Sequence, residues 1–330
     1  MKKWQFTLGF DVSKLTLDVS CSELKSHLKT SNDSQGFKQF LKWCKAHGIV
    51  LSKSFVVLEY TGGYEYKLLQ FLESKSIQYA RLPGLSVKNS GGIARGKTDK
   101  VDSQRLAQYG EEKHKTLSAS KPLNAVMIRL KELLSCRKRL VRDNAGYQSS
   151  LKERAHMYGE NKKDIIAIIY NKNIAQNKKS ISAIEKELQQ IITQDAELLL
   201  SYTLITSIKG IGKINALMTI AYTENFSSFV NARSYAVYVG VVPFEHSSGT
   251  SIYKRKRVSN LANKELKQEL NQAAKTAIEW DAELKEYAQR LSKTKHYKII
   301  LNNVKFKLIL RMFSLVKRGE MFVENYKKAA

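Results

Sequence analysis

Three cysteines in 330 residues are too few, and too far apart, to brace a fold. Cys21, Cys44 and Cys136 have no paired spacing and no histidine at ligand distance in sequence. That argues against a disulfide framework or a zinc site, and for reduced thiols in a cytosolic protein. Long apolar runs are missing as well. No stretch approaches the roughly 20 residues that cross a bilayer, and Met1-Lys2-Lys3-Trp4-Gln5-Phe6 lacks an apolar signal core. The expectation is a soluble cytoplasmic protein with no membrane partner. Acids are scarce too, 30 against 56 Lys plus Arg, a formal charge of +26. Such an excess repels the chain from itself and is tolerated when a polyanion neutralises it. A general bias toward Lys explains part of it. The 43% hydrophobic content excludes a merely basic, disordered tail.

Four of the scarce acids are patterned. Asp11 lies in Phe6-Thr7-Leu8-Gly9-Phe10-Asp11, and Glu59 ends the apolar run Phe55-Val56-Val57-Leu58-Glu59. Asp99 and Asp102, three apart, open a helical pattern and share a face. Acids at two strand ends plus a pair on one helix can converge on two divalent ions about 3.5–4 Å apart and cut or rejoin phosphodiesters. An acid projecting from a buried sheet needs a cation or basic partner to hold its charge. Asp18, Asp33 and Glu65 are read as ordinary solvated or salt-bridged carboxylates.

Residues 1–118 read as α/β. The first run and Leu15-Thr16-Leu17-Asp18-Val19-Ser20 suggest an antiparallel pair joined near Ser13-Lys14. A helix with Phe37, Phe40, Leu41 and Cys44 on one face follows. Then come the strand ending at Glu59, a helix carrying Tyr66, Leu69 and Leu72, and a short strand at Ile77–Leu82. Strand, strand, helix, strand, helix, strand, helix outlines a ribonuclease-H-like domain, an order many α/β folds share. In residues 119–200 glycine and proline nearly vanish. Leu123, Met127, Leu130, Leu133, Leu134 and Val141 form one stripe, and Ile181, Ile184, Leu188, Ile191 and Ile192 another. Two long helices are expected, as an antiparallel or intermolecular coiled coil that joins subunits, or as an ordinary hairpin on its own domain. Residues 201–330 read as a second compact, mostly helical unit.

Two further motifs bear on phosphate. Lys209-Gly210-Ile211-Gly212-Lys213 sits between apolar helical stretches. A Gly-x-Gly hairpin there bares backbone amides at a helix start and suits DNA backbone contact, although a tight structural turn explains the glycines equally well. Val239–Thr250 brings Ser247 and Ser248 before Gly249, followed by Tyr253-Lys254-Arg255-Lys256-Arg257. A hydroxyl beside glycine on an exposed loop can approach a phosphate, and the basic run can neutralise its charge. Composition alone favours a Ser/Gly-rich turn before a basic strand.

Together these motifs resemble the transposases and DNA invertases of the insertion sequence one-ten family, over nearly the whole chain. Gly9-Phe10-Asp11-Val12-Ser13-Lys14, Leu58-Glu59-Tyr60-Thr61-Gly62-Gly63-Tyr64 and Lys97-Thr98-Asp99-Lys100-Val101-Asp102-Ser103 look like that family's acid motifs. Gly210-Ile211-Gly212 and Gly240–Pro243 through Ser248-Gly249 fit its C-terminal domain. The resemblance implies a RuvC-like DEDD domain, a helical coiled-coil middle, and a transposase domain with a helix-hairpin-helix-like segment and a serine loop. It implies that Ser248, with Ser247 as the adjacent alternative, attacks the DNA phosphate and holds it as phosphoserine. Asp11, Glu59, Asp99 and Asp102 would bind Mg²⁺, or Mn²⁺ in its place, from the same or another subunit. It also implies target and donor DNA, a structured bridge RNA that selects them, a homodimer or homotetramer, and action at the nucleoid. The sequence departs from the family pattern at Thr250, where a second glycine is common. Asn263 and Leu266-Lys267 replace a frequent Gly and Leu-Arg. Arg-to-Lys loses a bidentate phosphate fork and keeps the charge, so altered DNA contacts are expected.

The competing readings are a RuvC-like metal-dependent nuclease or junction resolvase that uses water, and a non-catalytic nucleic-acid scaffold. A tyrosine recombinase fits less well, because no Arg/His set is legible around any of the 16 tyrosines.

Overall fold

Period-two alternation of apolar residues builds the N-terminal sheet. The computed structural model describes residues 3–90, 98–161, 163–248 and 252–324, with backbone alone at 89–90, 246–248 and 252–256. Strands β1 (Phe6–Val12), β2 (Thr16–Cys21) and β3 (Ser26–Ser31) form an antiparallel meander. Helix α1 (Ser34–Ala46) leads to β4 (Ser54–Glu59), and α2 (Tyr66–Ser74) leads to β5 (Gln78–Leu82). The strand order is β3-β2-β1-β4-β5, with β4 parallel to β1 and β5 parallel to β4. Helices α3 (Gly84–Ser90) and α4 (Asp99–Glu112) follow. This is the ribonuclease-H-like arrangement, with one strand more than the sequence outline contained. That strand, β3, holds a single large apolar residue, Leu28, because it is a sheet edge and needs little apolar surface.

The two faces of the sheet bury different partners. Phe10, Val19, Val56 and Leu58 meet Phe37 and Phe40 of α1 and Leu68, Leu69 and Leu72 of α2. Phe55, Val57 and Ala80 face the other way, against Leu106 of α4 and Val87 of α3. Each fully buried Leu or Phe contributes roughly 1.5–3 kcal/mol relative to exposure. Asp33 caps α1, accepting from the amides of Gln35 and Gly36 at 2.9 Å.

The remaining residues are mostly helical. Helices α5 (Ala125–Tyr158) and α6 (Ile165–Gln194) form an antiparallel hairpin within the chain. Arg129 pairs with Glu187 at 2.7 Å, Arg137 with Glu185 at 2.7 Å, and Asn177 Nδ2 donates to Asn144 Oδ1 at 2.9 Å. At 34 residues α5 is about 50 Å long. Met127, Leu130, Leu133 and Leu134 of α5, with Leu188 and Ile192 of α6, enter the same core as the C-terminal helices. Val141, from the first apolar stripe, is exposed. Next come α7 (Ala196–Thr206), α8 (Lys213–Thr223), α9 (Ala232–Val239), the hairpin β6 (Pro243–Ser248) and β7 (Ile252–Val258), then α10 (Lys264–Trp280), α11 (Ala282–Ser292) and α12 (Tyr297–Arg318). The chain divides into two compact units, Met1–Leu123 and Asn124–Ala330.

No disulfide joins the cysteines. Cys21 and Cys44 are buried and Cys136, on α5, is exposed. Burial pushes the thiols of Cys21 and Cys44 up to about 11 and about 12. Among the described residues no helix is long and apolar enough to cross a membrane.

Candidate acid site and phosphate-binding surfaces

The close approach of α4 to β1 creates the acid site. A Cβ on Gly9 would lie 2.1 Å from the Ser103 carbonyl oxygen and 2.3 Å from the Ala107 nitrogen, so only glycine lets the helix backbone rest there. The Ser20 and Ser103 hydroxyls share a hydrogen bond of 2.7 Å that ties β2 to the same helix. Because Phe10 and Leu58 point into the α1–α2 core, their neighbours Asp11 and Glu59 belong to the α4 face. Asp11 lies two residues past Gly9, and Asp102 immediately precedes Ser103. Thr98 caps α4, its hydroxyl accepting from the Val101 amide, which sets Asp99 and Asp102 in the first turn.

The four carboxylates therefore share one electrostatic field. Asp11 is half-buried, and its carboxyl is pushed up to about 6, first by burial and then by the charges of Asp99, Asp102, Glu59 and Asp18. Burial disfavours the charged form, and neighbouring acids without enough positive charge between them add to the effect. Two basic side chains answer part of it. Lys29 Nζ lies 3.5 Å from Asp18 Oδ2 and 3.8 Å from Asp99 Oδ2. Arg105 Nη1 donates to Asp102 Oδ1 at 3.1 Å. His27 Nε2 sits 2.8 Å from Asp18 Oδ1, so this buried acid, 3% exposed, is held from the edge strand.

Among the described residues no three acid, histidine or cysteine side chains lie close enough to hold an ion as they stand. The sequence suggested a ready cage, whereas the structure has Asp99 and Asp102 turned to Lys29 and Arg105. The donor set still fits a hard divalent cation: it is all carboxylate oxygen, carries excess negative charge and lies on one face. Asp99 is exposed, free to change rotamer from its distant Lys29 partner.

Sequence reasoning missed Lys29, Arg105 and a pin behind Glu59. Buried Glu65 accepts from the Thr61 hydroxyl, from the Gly63 amide at 2.9 Å and from Arg81 Nε at 3.0 Å. Burial opposes its ionisation, but these hydrogen bonds hold it below the usual carboxylate range. The Arg81 guanidinium lies 4.0 Å from the Tyr60 ring centre. The loop after Glu59 is thereby fixed. The signal available in the sequence was the Thr-Gly-Gly-Tyr-Glu turn itself; the partner Arg81 is visible only once β4 and β5 pair.

In the second unit the Gly-x-Gly turn has two roles. Gly210, at φ +95°, backs onto α10, where a Cβ would meet the Ala273 carbonyl at 2.6 Å. Gly212 caps α8 with no side-chain cap and open space beside it, and Lys213 is exposed. Lys209 is paired with Glu324. A cavity of about 640 Å³ adjoins the turn and is lined in part by Glu185 and Glu269, so its charge is mixed. Ser247 and Ser248 end strand β6 opposite Tyr253 and Ile252, rather than standing in an open loop. Gly249 and Thr250 of that motif lie outside the described residues. In β7, Lys254 faces His246 and the exposed Arg257 faces Phe244; Arg255 and Lys256 lie between them in the strand.

The first unit is thus a ribonuclease-H-like sheet with Asp11 and Glu59 on the face covered by α4, and that helix adds Asp99 and Asp102 in its first turn. Comparison with known proteins agrees: a DEDD transposase model of IS110 type matches residues 8–155, and one described as transposase IS116/IS110/IS902 family matches residues 202–289. Two relatives, the pilin gene-inverting proteins of Moraxella lacunata and Moraxella bovis, are each 28% identical over 270 residues, 80% of this chain and 80% of theirs. The chain belongs to the IS110 family of transposases and is an enzyme of DNA recombination.

Proposed function

We propose that this transposase cleaves and exchanges DNA strands with Ser248 as nucleophile and with a divalent cation, Mg²⁺ or Mn²⁺, held by Asp11, Glu59, Asp99 and Asp102. The observation that carries the reading is the crowding at Asp11, a half-buried carboxyl on which acids from α4, β4 and β2 also press. When bound, the cation supplies Lewis-acid stabilisation of charge on the phosphate oxygens. The Ser248 Oγ–phosphorus bond forms as the bond from phosphorus to one deoxyribose oxygen breaks, and that oxygen leaves with a proton. A hydroxyl end from another strand then displaces Ser248 in the reverse sense, so that strands are exchanged without net hydrolysis. Lys209, Gly210, Gly212 and Lys213 at the α8 turn, and Lys254, Arg255, Lys256 and Arg257 in β7, hold the DNA backbone. The relatives' name, inversion of a pilin gene, supports reciprocal strand exchange over simple cutting.

The same reading includes a structured bridge RNA that selects target and donor DNA, with the protein acting at the nucleoid. It divides the chain into a metal domain (1–118), a coiled-coil region (119–200) and a transposase domain (201–330). The homo-oligomer forms through α5 and α6, where Met157, Tyr158, Ile165, Ile168 and Ile169 leave apolar surface exposed near the hairpin tip.

The test is a trapping assay on recombination substrate. Wild type is expected to give a protease-sensitive, serine-linked DNA adduct, and Ser248→Ala none. Asp102→Ala is expected to lose at least 100-fold of strand exchange, with folding and DNA binding kept. Normal cleavage by Ser248→Ala with the serine-linked adduct kept would move the nucleophile to Ser247, and normal cleavage with no adduct would instead identify a water-using nuclease.

A further inference from the structure

We propose that Lys267, Asn271 and Lys305 form a phosphodiester-binding site on α10 and α12, separate from the Gly-x-Gly turn and from the basic run of β7. The site rests on the nucleic-acid-binding part of the functional reading and not on its serine or metal chemistry.

The anomaly is Lys305. It is 2% exposed, on a helix whose neighbouring Val304 and Leu308 are fully buried. Its ammonium donates to Asn271 Oδ1 at 2.7 Å, and among the described residues it has no carboxylate partner. A buried charge elsewhere in the same unit is neutralised in the usual way: Asp281, 3% exposed, accepts from Arg311 at 2.6 Å. Buried charges are normally paired, because an unpaired one keeps its full desolvation penalty. The charge that acts on Lys305, that of Lys267, has the same sign. Burial, and then the positive charge of Lys267, bring its ammonium down to about 8, so it still carries its proton at neutral pH. Burial also lowers Lys267.

The neighbouring groups are donors. Lys267 and Asn271 lie four apart on one face of α10, and both are half-buried. The Asn271 carbonyl oxygen is taken by Lys305, which leaves its two amide hydrogens on the opposite edge of the group. Asn263, four residues before Lys267 and the cap of α10, donates its own side-chain amide to the Tyr238 hydroxyl at 3.1 Å. Two like-charged ammonium groups and an oriented amide, with no internal anion, match the chemistry of a phosphate, which brings negative oxygens and needs only donors. A nucleic-acid phosphate would supply the missing counter-charge. The helix also follows closely in sequence on β7, whose basic residues are proposed to track the same polyanion.

The experiment uses the full chain and fluorescence anisotropy with a short duplex DNA and, separately, a structured RNA hairpin. It is run in chelator so that the metal-dependent strand cleavage proposed above does not accompany binding. Lys305→Met keeps the length of the side chain and removes its charge. Lys267→Gln removes the second charge. Asn271→Asp provides Lys305 with an internal carboxylate. All three are expected to weaken binding about tenfold, and the two lysine variants to reduce the slope of log K against log salt by about one. Lys305→Met and Asn271→Asp are expected to melt at or above the wild-type temperature, since each relieves a buried unpaired charge. Loss with duplex alone assigns the site to DNA, and loss with the hairpin alone assigns it to RNA. Affinity and salt slope unchanged for both probes, while Asn271→Asp raises the melting temperature, would reduce Lys305 to a structural oddity and overturn the proposal.

Discussion

With its carboxyl held up near 6, Asp11 keeps its proton in the folded chain through a pH range where the unfolded chain has lost it. Between about pH 4 and 6 the native state binds more protons, so its stability falls as pH rises through that window. Above it, the ionised acid weighs fully against folding beside Asp18, Glu59, Asp99 and Asp102, with Lys29 as partial relief. Urea unfolding in chelator should find Asp11→Asn more stable than wild type at pH 7, with the difference shrinking as pH drops toward 4. A pH-independent difference would remove the repulsion account. At this scale the sequence was informative about Asp11 and Glu59, because apolar runs ending in an acid are rare and conspicuous. Lys29 was invisible, because its place beside Asp18 and Asp99 depends on the β2–β3 register, in which Asp18 pairs with Lys29. Lys305 was equally hidden, one Lys among many on a helix whose apolar stripe gives no warning of it.

The elements followed from periodicity wherever both faces of a segment are committed. Strand β1 alternates apolar residues with Thr7, Gly9 and Asp11, β4 is a near-continuous apolar run, both are buried on both sides, and the α5 and α6 stripes at Leu130–Leu134 and Leu188–Ile192 are core. Where one side is solvent, the pattern thins: β3 has one large apolar residue, and β6 carries the serines in what reads as a turn. The contact that matters most between elements is α4 on β1, and a single absent side chain permits it. Gly9→Ala places a methyl inside the Ser103–Ala107 backbone and must lift the helix. It is expected to cost about 2–3 kcal/mol in denaturant unfolding. Because the displaced first turn carries Asp99 and Asp102, it should also depress strand exchange more than an equally destabilising change in the α1–α2 core. Equal losses of activity in the two variants would show that the helix position is not what the acids depend on.

For the whole molecule, the excess of 26 positive charges was the clearest statement the sequence made about partners. Its distribution is uneven in a useful way: Asp11, Asp18, Glu59, Asp99 and Asp102 act on one another in the first unit, whereas Lys267 of α10 and Lys305 of α12 have no carboxylate partner among the described residues. Binding to duplex DNA should therefore weaken steeply with salt, by about 10³ or more between 50 and 200 mM if six or more phosphates are neutralised. A flat titration by anisotropy would mean that the charge serves solubility alone. The division into units was less legible, because the long helices look independent in sequence yet their inner ends share the C-terminal core.

The thiols described above have a practical side. Cys21 and Cys44 are enclosed and hold their protons far above neutrality, while Cys136 stands in solvent on the first half of α5. A maleimide dye at neutral pH thus has one reachable target per native chain. The molecule comes with its own attachment point for a fluorophore, placed on the very hairpin through which copies are proposed to meet, and energy transfer between labelled chains can follow that encounter with no residue changed.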